Sequence, residues 1–423
     1  MDSTPDENSS RDTQLSKLPA TVAIRDASSF YWMLGLINAG YINEKRQTRL
    51  HFIQRRTRVS IVELLVAAKT PSDTQDEDGY TPLAIAVRVG NSGVARYLVE
   101  RGANVNVFGP KFGSISHIAV ANGDFNLFKF LIDTGADREA VDPNYGRSLL
   151  YTALCIYDDR KQWRIITYLV DEVKIPINKF GGYFGYPIIK AASSVGNNVM
   201  SSVRSLKFLI RRKAEVNITD SEGRTALHIA CAYSPMECMK TLVEAGANVD
   251  TKDKFGRLPI HFAAGVDSVD VVAYLLDQYK DIHINVADQD GWTPLMWAAR
   301  TGSADIITML AERGADVWAR GRGIGAGGEW SALKLMNFSD KNTDLRHLLE
   351  PKERSRGTSE SIEEWDDNFH EIKPGHQKEG DYCDSCFMVI EPLYREEDSK
   401  SDEDAAAEAK NSDGEDFNLD GDY

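Results

Sequence analysis

Cys383-Asp384-Ser385-Cys386 is the one stretch of this 423-residue chain whose residue types and spacing match metal chemistry. Two thiolates two residues apart can reach one Zn²⁺, but a closed tetrahedral site needs four ligands. No cysteine follows Cys386, and the sequence beyond it is rich in Glu and Asp. His370 and His376 could complete a set with Cys383 and Cys386, at a spacing that fits no common zinc pattern. The cofactor expectation is therefore none, with zinc at the Cys383/Cys386 pair as the alternative.

Other candidates for chemistry read as architecture. His117, His228 and His261 stand at equivalent places in a repeating pattern, which points to a recurring hydrogen bond and not to a single catalytic centre. Nothing suggests a Ser/His/Asp relay confined to one place. Gly323-Ile324-Gly325-Ala326-Gly327-Gly328 fits G-x-G-x-x-G in form, but the dinucleotide fingerprint needs a strand before it and a helix after it within a βαβ unit. Asp158, Asp159, Arg160 and Lys161 crowd one turn and read as a solvated loop. No enzymatic activity is expected; a site hidden among residues 155–202 is the rival reading.

Charge is partitioned along the chain. Residues 351–423 hold 8 Lys/Arg against 23 Asp/Glu, which equals the whole net charge of −15 and leaves 41 of each sign in residues 1–350. The body carries no basic excess that would argue for nucleic acid. Locally, Lys45, Arg46, Arg49, Arg55, Arg56 and Arg58 form a basic run, read as solvated charge, as a localisation or nucleic-acid patch, or as a docking place for the acidic tail. Five cysteines, an odd number with three inside predicted helices, suit a reducing compartment. The polar, acidic start is no secretory signal, no apolar run reaches membrane-spanning length, and the last residues carry no prenylation signal. An intracellular location, cytoplasmic or nuclear, is expected.

The elements behind these candidates are clearest in Asp220–Asp250, DSEGRTALHIACAYSPMECMKTLVEAGANVD. Thr225 suits a helix N-cap, and Leu227, Ala230 and Cys231 share a face behind it. Ser234-Pro235 ends that helix and opens a second, with Pro235 expected at its first position. Met236, Met239, Leu242 and Val243 form the second stripe, and Gly246 stops it. Two helices this short cannot bury a core alone. The capping position recurs at Thr48, Thr81, Ser114, Ser148, Tyr186, Thr225, Leu258, Thr293 and Ser331, at intervals near 33 residues with insertions. The insertions are expected to lengthen the inter-helix turns at Cys155–Trp163 and Val195–Ser202.

This unit resembles the ankyrin repeat on Gly223, Thr225, Leu227, His228, Ala230, Leu242, Gly246, Ala247 and Val249, with Ala226 in place of the usual Pro. The resemblance implies an all-α ankyrin solenoid of paired antiparallel helices with hairpin-like loops, spanning 28–350 in eight to nine units including caps. A polar segment, 1–27, and an acidic tail, 351–423, flank it and are expected to be mostly disordered. Segment 381–390 resembles the opening of a ZZ-type zinc finger, degenerate or truncated. The implied function is that of a scaffold or adaptor for other proteins, with no membrane and no nucleic acid; a zinc-dependent adaptor is the alternative. Aromatic residues gather at the loop tips: Tyr80, Phe112, Tyr145, Phe184, Phe255 and Trp292, with Arg147, Arg224 and Arg257 beside them. These are residue types that carry interface energy, unless each ring packs on its own hairpin.

A truncated finger predicts that a purified 355–395 fragment carries no stoichiometric zinc by elemental analysis; about one bound equivalent would instead establish a working site.

Overall fold

The computed structural model describes residues 42–109, 113–193, 199–279, 284–322, 329–338 and 346–349, and the backbone of 382–383 and 388–389. Nine helical units follow one another among these residues, and each of the nine capping positions read from the sequence immediately precedes a first helix. Unit 1 pairs a 3₁₀ turn, Arg49–Phe52, with α1, Val59–Ala67. Unit 2 pairs α2 (Pro82–Arg88) with α3 (Ser92–Glu100), and unit 3 pairs α4 (Ile115–Ala121) with α5 (Phe125–Asp133). Between them, β1 (Phe108–Gly109) pairs antiparallel with β2 (Gly113–Ser114). Unit 4 holds α6 (Leu149–Leu154) and α7 (Asp159–Thr167), and unit 5 holds α8 (Pro187–Ala192) and α9 (Val199–Arg211). Units 6 to 8 hold α10 (Ala226–Tyr233) and α11 (Met236–Glu244), α12 (Pro259–Gly265) and α13 (Val269–Gln278), and α14 (Pro294–Thr301) and α15 (Ala304–Glu312). A hairpin of β3 (Gly321–Arg322) and β4 (Glu329–Trp330) leads to α16 (Ala332–Phe338) and α17 (Arg346–Leu349) in unit 9.

Residues 1–363 form one compact part and 364–423 another. In the second, β5 (Tyr382–Cys383) pairs antiparallel with β6 (Met388–Val389). The start of the array expected from residue 28 lies outside the described residues up to Tyr41. No helix among the described residues is long and apolar enough to cross a membrane.

The first helix of each unit is buried nearly all round. In α2 every residue from Pro82 to Val87 is buried, and in α12 the whole of Pro259–Gly265 is. Such helices lie between neighbours on both sides, which is why they read as uniformly apolar. Second helices keep one buried stripe, such as Leu127, Phe128 and Leu131 in α5. The caps follow the predicted chemistry. Thr81 Oγ1 accepts from the Ala84 amide at 3.2 Å, Ser148 Oγ from Tyr151 at 3.2 Å, and Thr293 Oγ1 from Met296 at 3.4 Å. Pro235 sits one place earlier than predicted, as the N-cap of α11 with ψ 154°, because its amide-free, extended geometry suits the cap as well as the first turn.

The first insertion falls in a helix more than in a turn, whereas in the second residues 193–198 separate α8 from α9, as expected. Residues 155–158 alone separate α6 from α7, and α7 runs on into a π-helical turn, Tyr168–Glu172, that takes up extra chain. Residues 199–202 of the second insertion form the first turn of α9. Asp158 caps α7 through the amides of Arg160 and Lys161, both at 3.0 Å, and Asp159 pairs with Arg204 of the next unit. The acidic-basic cluster thus serves as a cap and an inter-unit ion pair.

Histidines connect successive units. The Nδ1 of His51 accepts the Thr48 amide at 2.9 Å, that of His228 the Thr225 amide at 3.0 Å, and that of His261 the Leu258 amide at 3.0 Å. On the far side of each ring Nε2 meets a carbonyl: Tyr80 and Thr74 for His51, Arg257 for His228, Val286 for His261. His117 bridges Ser114 Oγ at 2.8 Å and the Arg147 carbonyl at 2.9 Å. A carbonyl only accepts, so Nε2 carries the proton and each ring is neutral. His51, the fourth member, was not singled out in the sequence because its unit opens irregularly. Asparagines add a second ladder. Asn106, Asn217 and Asn285 accept the amides of Asp137, Asn248 and Asp316 in the next unit at 2.7–2.8 Å.

Burial lowers the pKa of all four histidines, to about 4 for His228 and His261. Their stabilising effect is complete above the unfolded value near 6.5 and is lost as pH falls from there toward 4. Denaturant titrations should therefore show roughly 2–3 kcal/mol less stability per residue for these two between pH 7 and pH 4.5. The double variant H228Q/H261Q should start lower at pH 7 and show a flatter dependence; an unchanged slope would refute the assignment.

Candidate functional site

The loops that precede the first helices form a row of short hairpins, or fingers. Five of them are built on one aspartate. In the finger of unit 6, Asp220 Oδ1 accepts the amides of Glu222 and Arg224 at 2.9 and 2.8 Å, while its own amide donates to the Arg224 carbonyl. Its Oδ2 takes Arg224 Nε at 2.8 Å, both side chains being buried. Asp253 repeats every one of these contacts with Phe255 and Arg257. Asp142 accepts the Asn144 amide in a turn one residue longer and pairs with Arg147. Gly223 lies at φ 77°, and an added Cβ would meet the Lys254 amide at 3.0 Å, so the turn and the neighbouring finger both require glycine. Burial alone would depress the Arg224 pKa, yet the Asp220 carboxylate raises it. In the finger of unit 8, Trp292 stands where units 6 and 7 have arginine and unit 2 has Tyr80. Burial then raises the Asp288 pKa, and Trp297 Nε1 supplies a donor to its Oδ2 at 3.0 Å.

Arg147, Arg224 and Arg257 are thus parts of the finger frame and not exposed contacts, a correction to the sequence reading. The side chain looks like a surface group until its aspartate four or five residues upstream is counted. The frame continues between fingers. The amide of Gly182 donates to the Tyr145 carbonyl at 2.8 Å, that of Lys254 to Glu222 at 2.8 Å, that of Gln289 to Phe255 at 2.8 Å, and that of Arg322 to Asp290 at 2.6 Å.

The aromatic tips divide by exposure. Tyr145 and Phe255 are 44% and 50% exposed. Tyr80 is half-buried. Phe184 and Trp292 are only 7% and 5% exposed, which takes both rings out of reach of a partner. Phe184 is held because its amide donates to Tyr151 Oη at 3.2 Å, and Trp292 because its Nε1 donates to the Arg322 carbonyl at 3.0 Å. Phe112 lies outside the described residues. A cation stands over each described ring: Arg88 over Tyr80 at 4.6 Å, Arg147 over Tyr145 at 4.3 Å, Lys190 over Phe184 at 5.7 Å, Arg257 over Phe255 at 4.8 Å and Arg300 over Trp292 at 5.8 Å. The rings do pack on their own units, and two of them still present about half their surface.

Phe180 and Phe108, 57% and 43% exposed, belong to the same row and were missed. Each immediately precedes a glycine, as Tyr145 and Phe255 do, so the signal was present. In the finger of unit 5 the rule selected Phe184 before Gly185 in place of Phe180 before Gly181.

The basic run is not one surface. Lys45 and Arg46 lie in a finger, where the Glu77 amide donates to the Lys45 carbonyl, while Arg55, Arg56 and Arg58 lie in the turn leading to α1. All five are exposed. The Gly323–Gly328 run lies outside the described residues, but the antiparallel strands β3 and β4 bracket it, not a strand and a helix. Cys386 lies outside them too, and of Cys383 only the backbone is placed. No group of three or more His, Cys, Asp or Glu among the described residues could hold a metal ion. Burial raises the Cys231 and Cys238 thiol pKa values, that of Cys238 to about 11, so both behave as core residues.

Comparison with known proteins agrees with this architecture. The profile for ankyrin repeats (three copies) matches residues 22–108, 160–253, 188–288 and 247–320, more than half of the chain. The chain belongs to the ankyrin repeat family. Units 3 and 4 fall largely in the unmatched interval, yet they fold as the others do. A 118-residue stretch is 31% identical to E3 ubiquitin-protein ligase KEG of Arabidopsis thaliana, covering 26% of this chain and 7% of that protein. Another alignment of 118 residues is 30% identical to palmitoyltransferase AKR1 of Lachancea kluyveri, covering 27% of this chain and 16% of that one. The chain thus spans a small fraction of either relative. Nothing in the comparisons supports the zinc-finger resemblance of segment 381–390.

Breaking the buried pair of a finger should cost far more than trimming its tip. Arg257→Ala leaves the Asp253 carboxylate buried and unpaired and should lower stability by roughly 3 kcal/mol. Phe255→Ala should change it by less than about 1 kcal/mol. Thermal denaturation of both variants checks the contrast, and equal losses would contradict the frame-and-tip division.

Proposed function

We propose that this chain is a non-catalytic adaptor that captures a protein partner on its finger row. The carrying observation is the exposed aromatic set Tyr145, Phe180 and Phe255 on fingers fixed by buried hydrogen bonds. Rings held in place before binding lose little conformational freedom on contact, and aromatic residues dominate interface energy. The comparisons favour the binding reading indirectly. The likeness to a ligase and to a transferase is confined to short stretches of those proteins. A convergent titratable cluster in residues 155–202, which the enzymatic alternative needs, finds no support in Asp158 and Asp159, because both are engaged structurally. A reducing, intracellular setting is part of the proposal and is supported by Cys155, Cys231 and Cys238, which form no disulfide.

The test is affinity capture with the full chain followed by mass spectrometry. The triple variant Y145A/F180A/F255A should lose the captured protein while its far-ultraviolet circular dichroism is unchanged. Met200→Ala, which trims an exposed side chain of α9 away from the fingers, should retain it. Undiminished capture by the triple variant would rule the finger row out.

A further inference from the structure

Charge is divided along the array itself. Residues 42–213, which span units 1 to 5, carry 25 Lys/Arg against 16 Asp/Glu, whereas residues 214–350 carry 13 against 20. The neutral sum of the body hides two opposite halves. The division is plainest at the turns between first and second helices. Each first helix begins at a finger and ends at such a turn, so this edge and the finger row lie at opposite ends of the helices. Arg55, Arg56 and Arg58 lie in the turn of unit 1, and Arg160 and Lys161 open α7 of unit 4; all are exposed. In units 6, 7 and 8 the same edge carries Glu237, Asp270 and Asp305, each exposed in the first turn of its second helix. Among the described residues none of these side chains sits in an ion pair. The carboxylates on the basic half of the edge are engaged: Asp124 and Asp158 cap second helices, and Asp159 pairs with Arg204.

Bonds between neighbouring turns hold these charges in place. Asn91 Nδ2 donates to the carbonyls of Gln54 and Thr57 at 3.0 and 2.8 Å, and Asn122 Nδ2 to that of Val87 at 2.7 Å, which ties turns 1, 2 and 3 together. Lys161 lies against Gly123 of turn 3, where an added Cβ would meet its Cδ at 2.7 Å. Further along, Ser234 donates to the Ala192 carbonyl and Ser303 to Asp267. Two large apolar side chains stand exposed on the edge, Tyr157 at 49% and Met200 at 72%, in units 4 and 5 at the middle of the nine. The other exposed large apolar residues among those described lie in the loops that precede first helices. An apolar centre between a basic arm and an acidic arm is complementary to itself after a twofold rotation. A partner of one sign of charge would match only half of it.

We infer that the chain pairs with a second copy of itself through this edge, as a closed antiparallel dimer. Tyr157 and Met200 meet their counterparts near the twofold axis, and Arg55, Arg56 and Arg160 of one copy face the acidic arm of the other. Such a contact presents the same patch from both copies, so it closes at two. The finger rows stay uncovered, and the inference stands whether or not they capture a partner. Exposed opposite charges steer the encounter and are screened by salt, so the dimer weakens as salt rises.

Sedimentation velocity of the full chain is the test. The natural chain should sediment as a dimer at about 50 mM salt and dissociate about tenfold more readily at about 500 mM. R55E/R56E/R160E and E237K/D270K/D305K should each be monomeric, while their equimolar mixture should form a dimer, because reversing one arm in each copy restores attraction across both. Both variants keep a net negative charge, so a mixed dimer reports the local arms and not the overall charge. E237Q/D270N/D305N, milder at helix starts, should weaken the dimer about tenfold and covers a lysine variant that folds poorly. A natural chain that stays monomeric, with this edge held by a different protein or another acidic segment, overturns the inference. Assemblies larger than two copies overturn it as well, as does a mixture of folded variants that fails to pair.

Discussion

A buried histidine that takes an amide from its own helix cap and donates from Nε2 to a carbonyl of the following loop ties units 1, 6 and 7 to their successors. The first helices are covered on all sides, so the amides at their starts cannot reach water. His228 satisfies the Thr225 amide and the Arg257 carbonyl together, one in its own unit and one in the next. The ring thereby fixes the height of one unit against another as well as closing a helix end. Leu258 shows what the cap hydroxyl adds: nothing essential, since His261 still takes the Leu258 amide. Units 2, 4 and 8 instead cap their first helices with a hydroxyl and carry no imidazole.

Once the helices are set at fixed height, the fingers follow. Their aspartates turn the chain inward on itself, with carboxylate oxygens taking two amides and a guanidinium. A buried ion pair contributes less to stability than to the choice of one conformation. Unit 8 reaches the same hairpin with Trp292 and Trp297 in place of the guanidinium. Burial raises the Asp288 pKa, and the neutral indole donor of Trp297 offsets this only in part. The conserved outcome of these different chemistries is a stiff loop with its tip turned outward.

Much of this was legible in the sequence, for a reason tied to particular residues. Thr81, Ser114, Ser148, Thr225 and Thr293 mark helix starts because a cap hydroxyl, a following apolar run and a period near 33 all have to agree. What stayed hidden depends on length or depth. Spacing registers extra residues between Ser148 and Tyr186 but cannot say that they lengthen a helix through the turn Tyr168–Glu172. Type alone cannot say that Arg224 is inside or that Phe180, rather than Phe184, is the exposed ring. Gln162 is another such case: it reads as a surface residue of α7, yet its side chain donates to the carbonyls of Leu154 and Ile156. Each of these is decided by a neighbour more than one turn away.

Regularity and departure therefore carry different information. Units 6 and 7 repeat one solution to burying polar groups, and repetition fixes geometry without distinguishing one unit from the next. Unit 5 has Ile189 at the histidine position, and its finger turns on Gly181, Gly182 and Gly185 in place of an Asp–Arg pair. Units 2 and 8 carry Ala84 and Met296 at that place and still stack, so no one contact defines every junction of the array.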